Sequence, residues 1–523
     1  VAVLFIIVLL VGSCTQGRIA GRAGGTLTAA IPAAYGTIDP HRSMFATPLH
    51  TAVFDTLLSL GDDGVPEPGL AHEWRFAADG LSITLVLRTG MTFHDGTPVD
   101  GAAVAANLWR VATGGPALFP VARLLGPVRD VSATGLAVTI AYDQRFPPVL
   151  TALADPRLAI MAPSTLATLD DAGSQGSSLQ AGEVLGSGPY RLAETAATHY
   201  VLLPYAEYAW PPSGAANPGA AYPERVNINL FDGDSAVGQA IVAGADLVWW
   251  PPTGLAGRAA IARPDDWREY RTGGDAVMYM TISAATGGQL ADRAVREAVL
   301  VLLPRTVLAA QAGVPWISTA SLVAAGKPGA DSVAVPVTKP DAAIRMLASA
   351  GWRAGDDGML RRDGQVLELR LATYEDDAWW AGLAQQVADA WRSAGIAVRL
   401  VAPRRTNVTD LVAGSANAWL LQYDWPDPDA LYYLFHSDWV GASNRAGYRS
   451  TATDELLETA RSTMDPVARA TAYRKADAQI RADSVATGIL QQAGAIWFSP
   501  RLAGVRPPVG NRFDWIDLYL RRD

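Results

Sequence analysis

An α/β fold with more than one lobe is what this sequence predicts, and three observations predict it. Segments whose apolar residues alternate take turns, along the whole chain, with segments whose apolar residues recur at helical spacing. At 523 residues the chain exceeds what one compact core serves, so two or more domains or one large two-lobed body is expected. Half of the residues are hydrophobic and 18% are charged, which suits a packed interior rather than disorder.

The elements follow in order. Residues 25–32 start as a strand, and residues 54–60 lead into a turn at Asp62-Asp63-Gly64. Residues 81–88 and 136–142 alternate as half-buried strands, the first stopped by Gly90. Residues 100–110 form a helix that presents Val104, Leu108 and Val111 on one face. Residues 172–182 and 211–223, rich in Gly, Ser, Pro and Ala, are loops. Residues 340–350 form a helix with Pro at its start and Gly351 at its end. Strands at 367–374 and 396–401 flank a long helix at 377–394, whose Trp380, Leu383, Val387 and Trp391 share a face. Helices close the body at 453–461 and 466–481. No internal repeat is present.

Net charge is −9, and no Lys/Arg-rich run offsets it, so nucleic acid is not an expected partner. One cysteine excludes an internal disulfide framework and a multi-cysteine metal cluster. The six histidines show no metal-ligand spacing, and no cofactor is expected. Gly-x-Ser-x-Gly, Ser-x-x-Lys, His-Glu-x-x-His and Walker patterns are absent, so the sequence points to binding, not catalysis.

Residues 1–11 are apolar throughout, too short for the about 20 residues of a membrane span but of signal-peptide length. The basic residues that usually open such a leader are missing from it. Leu10-Val11-Gly12-Ser13-Cys14 resembles the bacterial lipobox, in which small residues precede a lipidated cysteine. The expectation is a leader over residues 1–14, lipid on Cys14, a Gly- and Arg-rich tether over 15–24, and a body held on the extracytoplasmic face of a membrane.

A series of blocks then resembles one family. They are Leu70-Ala71-His72-Glu73-Trp74 with Asp79-Gly80-Leu81 and Leu87-Arg88, then Phe93-His94-Asp95-Gly96-Thr97-Pro98-Val99, then Gly186-Ser187-Gly188-Pro189-Tyr190. After them come Asp292-Arg293-Ala294-Val295-Arg296-Glu297-Ala298, residues 343–352, and Asp424-Trp425-Pro426-Asp427-Pro428-Asp429. In that order they resemble the extracytoplasmic solute-binding proteins of peptide and nickel importers, family 5. The resemblance implies a periplasmic-binding-protein fold of type II, with an extra subdomain in lobe I. Lobe I would span 25–275 with the insertion at about 51–182, lobe II 276–490, and residues 491–523 would return to lobe I. It also implies a peptide cargo captured by lobe closure, permease and ATPase subunits of an ABC importer as partners, and a monomer.

Within the blocks, His94 beside Asp95 reads as an Asp-Gly turn rather than a catalytic pair. Gly186 to Tyr190 lacks the lysine of a phosphate loop and reads as a turn that only glycine fits. Asp424 ends an apolar strand that runs Trp419-Leu420-Leu421-Gln422-Tyr423. In peptide binders that this chain resembles, an Asp at the matching place pairs with the ligand's ammonium group. Gln422 and Trp425 flank it as further contacts, while Asp427 and Asp429 read as helix caps. Some oligopeptide binders carry an arginine six residues before that Asp; here the position is Ala418, so a ligand carboxylate would need another partner, for example Arg404 or Arg405, or has none. Trp249 and Trp250 point to opposite faces of a strand, one to the core and one to the cleft, and Tyr35 is a further cleft residue. Alternative cargoes are haem, a nickel chelate or an oligosaccharide, and an alternative role is a sensor that has lost transport.

Overall fold

The computed structural model describes residues 23–33, 38–43, 46–171, 180–231, 235–250, 263–312, 316–372, 378–401, 416–509 and 512–521. Cys14, Tyr35, Arg404 and Arg405 lie outside them, as does most of the loop at 172–182.

One hydrogen-bonded sheet runs through the molecule. Its main strands are β1 (Thr26–Pro32), β2 (Tyr190–Ala196), β3 (His199–Pro204), β4 (Arg225–Phe231), β5 (Leu247–Trp250), β6 (Arg268–Ile282), β7 (Glu368–Ala372), β8 (Ala397–Val401), β9 (Ala418–Asp424) and β10 (Ala486–Phe498). The order is β8-β7-β9-β6-β10-β5-β1-β4-β3-β2. Strands β5, β1 and β4 are parallel, as are β8, β7 and β9, and each trio carries the crossover connections that parallel pairing demands.

β6 and β10 are long because they belong to both halves. From Arg268 to Gly273, β6 pairs with β10 from Phe498 to Ala493, and there β10 also pairs with β5 of lobe I. From Val277 to Thr281, β6 pairs with β10 from Gln491 to Ala486 and, on its other edge, with β9 of lobe II. The register slips between Gly273 and Val277, where β6 carries extra residues. A Cβ on Gly274 would come within 2.9 Å of the Gln492 carbonyl oxygen, so the two crossing strands approach there as only a glycine permits.

The hydrophobic interior divides accordingly. One cluster fills lobe I together with a four-stranded sheet inserted between β1 and β2, made of Ala71–Phe76, Ser82–Leu87, Ala137–Tyr142 and Val128–Thr134. The C-terminal segment joins it through Phe513, Trp515 and Leu518, and the Trp515 indole donates to the Pro48 carbonyl at 2.7 Å. Two further clusters cover the two faces of the lobe II strands.

Local sequence signals explain most elements. In the strand Ser82–Leu87, Ile83, Leu85 and Leu87 are buried and the intervening residues are half-buried. Asp100 caps the helix Gly101–Thr113 by accepting from the Ala103 amide at 2.9 Å, and Val104, Leu108 and Val111 pack inward. The helix Ala378–Ser393 buries Trp380, Leu383, Val387 and Trp391 completely. A short helix, Pro48–Val53, was not expected from residue pattern; Thr47 caps it and proline opens it, a signal too brief for periodicity to reveal.

Candidate functional site

The motif at Phe93 to Val99 and the glycine motif at Gly186 to Tyr190 form one structural unit. The Gly186 amide donates to Nδ1 of His94 at 3.2 Å, and Nε2 of His94 donates to the Gly188 carbonyl at 3.0 Å. Both ring nitrogens are thereby committed to backbone, the ring is neutral, and burial lowers its pKa to about 4. Asp95 is exposed and accepts from the Thr97 amide at 3.0 Å, a turn with Gly96 at φ 82°. The glycines are required by proximity: a Cβ on Gly186 would lie 2.0 Å from the Val53 carbonyl oxygen, and one on Gly188 would lie 2.7 Å from that of Ala52. Ser187 then donates to Asp55 at 3.2 Å, and Tyr208 and Trp210 donate to the same carboxylate at 3.3 and 3.1 Å. Burial pushes the Asp55 carboxyl up to about 6 while Arg512 and these donors pull the other way. These residues brace lobe I.

β9 carries Gln422 and Asp424 along the edge of β6, next to the crossing with β10. Asp424 ends β9 opposite Ala276 and is half-buried. Gln422 lies opposite Met278, and its Nε2 donates to Oε1 of Gln492 at 3.4 Å, while its own Oε1 is buried without a hydrogen-bond partner. Gln491 secures the same crossing by donating to the Gly274 carbonyl at 3.2 Å and accepting from the Ala325 amide at 2.8 Å. Trp249 packs against the lobe I core with its ring 5.7 Å from that of Phe513; the side chain of Trp250 lies outside the described set. Ala418, at the other end of β9, is completely buried beside Ile282, so the position that some relatives give to arginine belongs here to the hydrophobic interior.

Beyond Asp424 the chain meets lobe I. The Arg157 guanidinium, paired to Asp155 at 2.9 and 2.7 Å, approaches the Asp424 carbonyl at 3.5 Å. Trp425 packs against the lobe I core and places its ring 5.1 Å from that of Tyr433. Asp427 and Asp429 were expected to cap helices: Asp427 does accept from the Asp429 amide at 2.8 Å in the turn that opens the helix Ala430–Phe435, and Asp429 does not cap. Asp429 stands at the N-cap of the helix Ala430–Phe435, yet its side chain makes no cap bond. Its carboxylate lies 3.3 Å from Arg461 and accepts from Tyr473 at 3.3 Å. Asp427 takes Arg469 on Oδ1 at 2.5 Å and the Thr151 hydroxyl of lobe I on Oδ2 at 3.1 Å. Buried carboxylates need charged partners, and those partners arrive from the helices Thr451–Ser462 and Pro466–Ala482. Burial opposes the charge of Arg469, but the Asp427 carboxylate outweighs it and leaves the guanidinium more basic than usual. Arg157 and Thr151 escaped sequence reasoning; the turn sequence Asp155-Pro156-Arg157 was the one local hint of the first.

Among the described residues no group of three or more His, Cys, Asp or Glu is arranged to hold a metal ion, and no helix is long and apolar enough to cross a membrane.

Two lobes joined by paired crossing strands define the class of two-lobed solute-binding proteins, and comparison with known proteins agrees. Residues 65–442 match the bacterial extracellular solute-binding proteins, family 5 Middle, and the chain belongs to that family. Membership implies an extracytoplasmic location. Protein XP55 of Streptomyces lividans is 27% identical over 460 residues, 83% of this chain and 78% of that protein. Among solved structures, NikA of Brucella suis in complex with Fe(III)-EDTA superposes with a TM-score of 0.80 at 22% identity, covering 95% of this chain and all of that one (100%). DppA of Helicobacter pylori in complex with the peptide STSA superposes with a TM-score of 0.76 at 17% identity, covering 96% and 99%. These likenesses show the shared two-lobed fold.

Proposed function

We propose that this protein captures short peptides outside the cytoplasm and delivers them to the permease and ATPase subunits of an ABC importer. Asp424 carries the reading. The residue is half-buried at the end of β9, beside the strand crossing, with its backbone carbonyl facing Arg157 of lobe I, and a cleft closing there would desolvate a ligand ammonium group. Gln422 and Trp425 would supply a polar and an aromatic wall, with Tyr35 and Trp250, the tryptophan on the face opposite the core-packed Trp249, as further members. An extended peptide bound mainly through its backbone needs little more. The hinge would be the stretch around Gly274 and Gln491, dividing lobe I from lobe II at about residues 275 and 490. Binding rather than catalysis fits the histidine of the most recognisable motif, whose two nitrogens are both used by backbone. Lipid on Cys14 would hold the protein, as a monomer, beside its transporter.

Calorimetric titration with di- to pentapeptides tests this. Peptides with a free amine are expected to bind, and N-acetylation or Asp424→Ala to weaken binding by at least about 30-fold, since truncating one partner of a buried charge pair costs about 2–5 kcal/mol. Failure of every free-amine peptide to bind the wild-type protein would overturn the reading.

A further inference from the structure

The contacts that cross the seam between the lobes differ in kind from those that flank it. Arg123 stands in the lobe I helix Phe119–Leu125, where its carbonyl would ordinarily take the amide four residues on. That residue is Pro127, which has no N–H, so the carbonyl needs a donor from elsewhere. Lobe II supplies it: the Tyr433 hydroxyl donates to the Arg123 carbonyl at 3.2 Å. The Arg123 guanidinium in turn lies 4.8 Å from the Trp439 ring centroid and 5.2 Å from that of Tyr433. A second hydroxyl crosses the other way, where Thr151 of lobe I donates to the Asp427 carboxylate at 3.1 Å. Arg461 of lobe II adds a ring contact, with its guanidinium 5.0 Å from the Phe146 ring centroid.

The ion pairs beside these contacts each stay within one lobe. Asp427 takes Arg469 at 2.5 Å, Asp429 takes Arg461 at 3.3 Å and, in lobe I, Asp155 takes Arg157 at 2.7 Å. The Tyr433 hydroxyl also keeps a partner in its own lobe, because Arg461 donates to it at 2.6 Å. Parting the lobes therefore breaks hydroxyl bonds and ring contacts but leaves these three carboxylates with their guanidinium groups. The difference decides how costly opening is. A hydroxyl and a carbonyl exchange each other for water at small net cost, whereas a charge stripped of its buried partner does not.

We propose that the Tyr433 and Thr151 hydroxyls form a clasp between the lobes, made on closure and released on opening, and that this clasp sets the balance between the two states. The strand crossing keeps the lobes joined throughout; the clasp is the part that yields. The Tyr433 ring lies 5.1 Å from that of Trp425, so the clasp is packed against the segment that follows Asp424. A closed state held too firmly lowers the fraction of molecules able to take up a solute, and a clasp of hydroxyl bonds keeps that fraction appreciable. The Asp424 reading is not required for it.

Single-molecule energy transfer in the full chain tests it. Dyes are placed on Val65→Cys in lobe I and Val467→Cys in lobe II, both exposed positions, with Cys14→Ser to leave no other thiol. Tyr433→Phe keeps the ring and removes the bond to the Arg123 carbonyl; Thr151→Val keeps the shape and removes the bond to Asp427. Each is expected to raise the ratio of low-transfer to high-transfer molecules by about 2- to 10-fold, the worth of one hydrogen bond, and the double variant by about the product of the two. The far-UV circular dichroism is expected to stay that of the wild type. Should Tyr433→Phe fail to fold, Thr151→Val carries the same test. An unchanged ratio in the folded variants, even beside a lowered Tm, would show that the hydroxyls merely pack the seam and would overturn the proposal.

Discussion

At the residue scale the molecule is ruled by where polar atoms find partners. His41 and His94 are both buried and neutral: His41 donates to the Ala159 carbonyl at 3.0 Å and has Arg110 3.0 Å from Nδ1, while His94 ties the glycine motif. Burial lowers each pKa from 6.5 to about 4. The unfolded chain therefore binds more protons between these values. Their contribution is fully present above pH 6.5 and is lost as pH falls toward 4, about 2–3 kcal/mol for each. Denaturant midpoints measured at pH 7.5, 5.5 and 4.5 should fall more steeply in the wild type than in His94→Gln; equal slopes would mean that His94 is charged in the folded protein. Gly186→Ala sets a methyl group 2.0 Å from the backbone oxygen of Val53, which cannot swing aside. A loss of about 2–4 kcal/mol is expected, read as a lowered Tm.

At the element scale, patterning was legible wherever one face of an element meets a core. The alternation of residues 81–88 and the helical stripe of 377–394 both appear in the structure within a residue or two of their expected ends. Trp391 lies wholly inside that helix interface and donates its indole N–H to the Val299 carbonyl at 3.0 Å. Trp391→Ala should cost about 3–5 kcal/mol, visible as a lower urea midpoint for lobe II, and a near-neutral result would contradict the packing described. The short helix Pro48–Val53 and the paired roles of Asp427 and Asp429 were illegible. Six residues are too few for periodicity, and the turn sequence that makes Asp427 accept the Asp429 amide carries no sign of the arginines that fold against both carboxylates.

At the scale of the whole molecule, β6 and β10 make one sheet of two lobes, and the contacts across the far side of the cleft complete it. Thr151 donates to Asp427, Arg461 lies 5.0 Å from the Phe146 ring centroid, and Arg123 stacks on Trp439. Asp427→Ala removes the lobe I contact and leaves Arg469 buried without its carboxylate. Two effects are expected: a stability loss of about 3–5 kcal/mol by chemical denaturation, and a larger radius of gyration by solution scattering as the lobes part. An unchanged radius would show that closure depends on the strand crossing alone.

What the sequence determined by itself is what local physics writes locally. Hydrophobic period set the α/β class and the faces of the long elements, Gly and Pro placed the turns, and ordered blocks pointed to the family. The strand that Asp424 closes was legible too, because the apolar run before it is buried in the structure. Only the tertiary structure decided which side chains share a charge or a hydrogen bond. It joined His94 to Gly186 and Gly188, gave Asp427 and Asp429 to distant arginines, buried Ala418, and laid Arg123 of lobe I over Trp439 and Tyr433 of lobe II. The reason is physical: such partners meet only after two lobes have folded and closed, and no spacing along the chain encodes that meeting.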